Sequence, residues 1–136
     1  MSTATVMVTR LVVVARWMAR IWAAALLLLW GAFFLEHLSW FADPQHLPPP
    51  WVFLLVGLHF LMLVGLLAGW KWELAGAVVV LATSVPFFAA AAGRNFLLFA
   101  LVTAVPSALW LYCAWQERKW RQLKVLIAEE GVRKKE

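Results

Sequence analysis

At 136 residues, with 65% hydrophobic and only 14% charged side chains, the chain has too little polar surface for a small water-soluble domain, which is typically about 45–50% apolar. A net charge of +5 would suit nucleic acid in a soluble protein, but here the cations cluster at the ends of apolar runs. That placement predicts lipid headgroups as neighbours and excludes nucleic acid as the expected partner. The single cysteine, Cys113, excludes an intramolecular disulfide and sits in an apolar run, where it is expected to pack as an inert thiol.

In chain order, residues 1–20 form a basic cytoplasmic or interfacial segment. Arg10, Arg16 and Arg20 stand among Leu11, Val12, Val13, Val14, Trp17 and Met18. This stretch either lies on the inner membrane surface or prolongs the first helix inward. An apolar run follows over residues 21–42, with Glu36 as its one charge. It exceeds the roughly 7–15 residues of a signal-peptide core and lacks an Ala-x-Ala site at its end, so it is expected to remain as a helix.

The proline-rich segment 43–50 closes that run, because proline has no backbone N–H and bars helix in the residue before it. Further apolar runs cover 51–69, 74–92 and 96–115, separated by Trp70-Lys71-Trp72-Glu73 and by Gly93-Arg94-Asn95. Each is close to the roughly 20 residues needed to cross hydrocarbon as a helix. None shows the alternation of a barrel strand, and four strands cannot close a barrel. The expected fold is all-α: a four-helix transmembrane bundle over residues 21–115. A basic amphipathic tail over 116–136 continues the fourth helix or lies on the anionic leaflet, with Trp120, Leu123 and Ile127 at helical spacing.

The basic residues set the expected orientation. Arg10, Arg16, Arg20, Lys71, Arg118, Lys119, Arg121, Lys124, Arg133, Lys134 and Lys135 fall on one side and only Arg94 on the other. That places both termini in the cytoplasm. Eight of the tryptophans, Trp22 among them, mark the expected helix ends, whereas Trp30 and Trp110 lie deeper and are expected between helices.

Polar groups inside hydrocarbon are costly, and each needs a reason. His59 falls near the midpoint of the second run, where an interhelical hydrogen bond or a ligand contact would account for it. Glu36 and His37 are adjacent in sequence and so point about 100° apart on a helix. Glu36 could pair with His59 or with Arg94. His37 and His59 differ in depth by only about 5 Å by helical rise, which makes them conceivable axial ligands of a haem with Gly31 and Gly57 leaving room. His46 is expected to be solvated, and zinc, which needs three or four ligands, finds few donors in Glu36, His37, Asp43 and His46.

Pro86 and Pro106 fall inside the third and fourth helices and each frees a carbonyl, at Ala82 and Val102. They are expected to kink the bundle, with Thr83, Ser84, Thr103 and Ser107 satisfying nearby backbone. Gly57, Gly65, Gly69 and Gly76 are expected to let helices approach closely. No phosphate-binding glycine loop, nucleophile elbow, paired cysteines or paired buried carboxylates occur, so neither enzymatic activity nor a bound cofactor is expected.

The run Leu58-His59, the segment Trp70-Lys71-Trp72-Glu73-Leu74-Ala75-Gly76 and the later Val105-Pro106 resemble a group of small, uncharacterised bacterial membrane proteins. In those, a basic residue and tryptophan precede a Trp-Glu-x-x-Gly-Gly turn between the second and third of four helices. Ala75-Gly76 stands here where two glycines are usual. The resemblance implies four helices and no particular chemistry. The functional expectation is a non-enzymatic assembly or accessory subunit, self-associating or part of a larger membrane complex. The alternatives are a haem- or small-ligand-binding module using His59 with His37 or Glu36, and a small oligomeric transporter or channel.

Overall fold

The computed structural model describes residues 3–41 and 48–133, all of them helical or in short connections. The proline-rich loop with Asp43 and His46, the Ala42 end of the first predicted span, and Lys134 and Lys135 lie outside the described residues. Helix α1 covers Thr3–Leu38 and is followed by a 3-10 turn over Ser39–Phe41. Helix α2 covers Pro50–Ala68, α3 Glu73–Ala91 and α4 Phe96–Arg133. All four are long and apolar enough to cross a membrane.

Residues 9–20 continue α1 without a break, so of the two alternatives for this stretch the structure takes the prolonged helix. The helical part of the first predicted span stops at Leu38, four residues early. There the Ser39 hydroxyl donates to the Glu36 carbonyl at 2.6 Å, diverting a carbonyl from the helical pattern. Pro50 opens α2 at a position where its missing N–H costs nothing. Gly93, at φ +52°, ends α3 in the left-handed conformation that L side chains resist.

Packing follows chain order around a ring. The most extensive interface joins α2 to α3, then come α3–α4 and α1–α4, while α1–α2 is the loosest of the four. Glycine explains the tight α2–α3 crossing. A Cβ on Gly76 would overlap the Gly69 backbone, and one on Gly65 would press on Val79 and Val80. Gly69 lies against the six-membered ring of the fully buried Trp110. Gly57 differs: it is exposed, with no atom near enough to meet a Cβ, so the sequence expectation of a packing role has no counterpart there.

The centre holds Trp30, Met62, Leu66, Val80, Phe88 and Trp110. The Trp30 ring lies 4.9 Å from Phe88 and meets Phe99 edge-on at 5.5 Å. Much of the outer surface is apolar, including Leu28, Leu35, Leu54, Leu67, Leu97 and Leu101. A helix with few polar neighbours and an apolar exterior is the pattern suited to a non-aqueous surround.

Both interior prolines sit inside unbroken helices. Near Pro86, the Thr83 hydroxyl donates back to the Val79 carbonyl at 2.7 Å. Near Pro106, the indole N–H of Trp22 on α1 donates to the Val102 carbonyl at 3.0 Å. The carbonyl that Pro106 deprives of its helical partner is thus satisfied from another helix.

Candidate functional site

Helix α2 carries His59 at its midpoint and turns it inward, so that the ring is only 2% exposed. Around it stand Phe34 at 5.4 Å in edge contact, Phe87 at 4.7 Å and His37 at 6.1 Å, its plane tilted 78° from that of His59. These rings come from α1, α2 and α3, and they bridge the α1–α2 interface, the loosest of the four.

The hydrogen bonds assign the ring nitrogens. His37 Nδ1 lies 2.5 Å from the Phe33 carbonyl one turn earlier on its own helix. A carbonyl only accepts, so the proton is on Nδ1. The Trp30 carbonyl engages the His59 ring, and His59 Nε2 is buried with no hydrogen-bond partner among the described residues. In a neutral imidazole whose Nδ1–H is engaged, Nε2 presents a lone pair. A buried polar atom without a partner costs about 1–3 kcal/mol.

Two clefts meet at this histidine pair. One, of about 260 Å³, is bordered by Trp51, Leu55 and Ala90. The other, of about 410 Å³, is bordered by Leu29, Trp30, Phe33, Phe88 and Phe99. His37, His59, Phe87 and Ala91 line both. The arrangement offers a basic nitrogen at the floor of an apolar, aromatic-walled space, which is the usual make-up of a small-molecule site.

The structure therefore brings His37 and His59 together and leaves Glu36 apart. Glu36 is exposed, lines neither cleft and forms no ion pair with Arg94 among the described residues. Among the described residues no group of three or more metal-ligating side chains occurs.

A second polar cluster, beside the turn that joins α2 to α3, was not legible in the sequence. Arg16 of α1 forms ion pairs with Glu73 of α3 and Glu117 of α4, tying three helices together. Arg20 donates to the Trp70 carbonyl at 3.1 Å. Helix α3 starts after Trp72 with no side-chain cap, and the Glu73 carboxylate turns to Arg16. The signal that could have found this pairing is that Arg16, Glu73 and Glu117 all fall beside the same predicted membrane boundary.

Residues 7–123 match the model of a family described as a domain of unknown function, DUF7670. The chain belongs to this family. The DUF7670 match spans all four helices and includes His37, His59, Arg16, Glu73 and Glu117. No curated protein and no solved structure matches the chain.

Proposed function

We propose that this DUF7670 protein is a non-enzymatic integral protein of a bacterial cytoplasmic membrane. It crosses the bilayer four times with both termini in the cytoplasm, and serves as an assembly or accessory subunit joined to copies of itself or to a larger complex. The orientation is supported by the cations. Arg16, Arg20, Lys71, Arg118 and Arg121 gather around the turn that joins α2 to α3, and Arg94 is the basic residue of the turn that joins α3 to α4.

The observation that carries the assembly role is the surface beyond that charged layer. There α1 exposes Leu11, Val13 and Val14, and α4 exposes Leu123, Leu126 and Ile127. Apolar side chains past the level of the ionic cluster need a cover, and a partner helix supplies one. Native mass spectrometry of the purified protein in detergent tests this. A defined oligomer or stoichiometric complex is expected, weakened by Leu126→Glu. A monomer at every concentration would refute it.

A second reading is favoured by the bare Nε2 of His59 beside His37. In it the clefts take a lipid-soluble ligand, either a haem whose iron uses both imidazoles or a molecule whose hydroxyl donates to His59. An intense visible absorption band in the purified protein would favour haem, and failure of the protein to retain added haem through gel filtration would remove haem from consideration.

A further inference from the structure

We infer that the cavity between the Trp70–Glu73 turn and the stretches of α1 and α4 that carry Arg16, Arg20, Arg118 and Arg121 is a binding site for the phosphate diester headgroup of an anionic phospholipid. The inference rests on the membrane placement proposed above and adds a ligand to it.

The cavity has a volume of about 590 Å³, within the usual range of about 300–1,000 Å³ for small-molecule sites. Five cations line it, Arg16, Arg20, Lys71, Arg118 and Arg121, against two carboxylates, Glu73 and Glu117. Both carboxylates are already engaged by Arg16. The other four cations make no ion pair among the described residues, so the cavity keeps an uncompensated positive charge.

Three further features point to an anion. Arg20 is held by its Nη2 bond to the Trp70 carbonyl, while its Nε is buried with no partner among the described residues. The start of α3 has no side-chain cap, and Leu74 and Ala75 of its first turn line the cavity. The first N–H groups of a helix have no internal acceptor and carry the positive end of the helix dipole. Guanidinium groups match phosphate oxygens in pairs, which a carboxylate-lined or purely apolar cavity does not offer.

The surroundings favour a lipid over a free anion. Trp70 and Trp72 border the cavity and are both exposed, as indoles at the headgroup level are. Apolar side chains of α2 and α3, Leu67 and Val78 among them, are exposed alongside and offer acyl chains a surface. Basic pockets between helices on the cytoplasmic side are the form such headgroup sites take.

The test is native mass spectrometry of the full chain in detergent with defined lipids: dimyristoyl phosphatidylglycerol, dimyristoyl phosphatidylcholine and, as acyl-free probes, inorganic phosphate and glycerol 3-phosphate. Retention of phosphatidylglycerol well above phosphatidylcholine is expected. Arg20→Gln and Arg121→Gln should each weaken it about fivefold. Lys124→Gln and Arg94→Gln, equal in charge change but away from the cavity, should leave it unchanged. Equal loss in all four variants, or no preference between the two lipids, would overturn the headgroup site. Equal binding of the acyl-free probes would overturn the lipid source. Reporter tags at the two termini test the membrane topology separately, so a failed lipid preference with both tags cytoplasmic removes the site and spares the topology.

Discussion

Replacing Gly76 with alanine should be among the most damaging single-methyl additions to this fold. The new Cβ would overlap the Cα and N of Gly69 and approach the Gly65 carbonyl oxygen at 2.8 Å. All three are backbone atoms, so no side chain can swing aside. Ordinary carbon–carbon contact needs about 3.5–4.0 Å, so α2 and α3 must separate by roughly 1 Å or more. Overpacking typically costs about 1–3 kcal/mol, and the rigid obstacle here puts the expected loss at or above the top of that range. Gly57→Ala is the matched control. Its Cβ meets open space, and removing a glycine from a helix gains about 0.4–1 kcal/mol. Unfolding in mixed micelles, followed by tryptophan fluorescence or circular dichroism, should therefore move the two variants in opposite directions. If Gly76→Ala unfolds at the same denaturant fraction as Gly57→Ala, the close α2–α3 crossing is wrong.

Other substitutions probe single interactions. Trp22→Phe removes the donor to the Val102 carbonyl and should cost about 0.5–1.5 kcal/mol, with the cost vanishing in a Pro106→Ala background where the helix restores its own N–H. A double-mutant cycle showing no coupling would refute that assignment. Glu73→Gln weakens the three-helix ion pair at its least exposed member and should destabilise by about 1–3 kcal/mol, more than Glu117→Gln, as read from midpoints in the same micelles. His59→Leu removes an unpartnered nitrogen together with the Trp30 contact, so stability should change by less than about 1 kcal/mol. A loss above about 3 kcal/mol would show that His59 is a structural strut with a full set of partners.

Continuous apolar runs and their length were enough to read four helices, because a run near twenty apolar residues leaves the backbone few other solutions in hydrocarbon. They were less informative at helix ends. The early stop at Leu38 depends on the hydroxyl of the very next residue, Ser39, and α1 reaches back to Thr3 through a basic stretch that could equally have turned aside. Within the site, the depth argument placed His37 and His59 close together, and the rings are 6.1 Å apart. It could not choose a helix face for Glu36, because rotation about the axis is set by packing against neighbours. Trp22 shows the same gap. Its place near a predicted helix end suggested a headgroup ring, but its N–H reaches across to the Val102 carbonyl, for which the sequence had offered the neighbouring Thr103 and Ser107 hydroxyls.

The sole thiol deserves a practical use. Cys113 is fully buried, its sulfur 3.7 Å from the Val12 carbonyl of the adjoining helix. Alkylating reagents reach only accessible thiolates, so the native chain should stay silent to maleimide while folded. A new cysteine placed anywhere on the exterior would then report alone, without first stripping the background. Scanning such positions along α1 and α4 would chart, residue by residue, where lipid gives way to water or to another polypeptide.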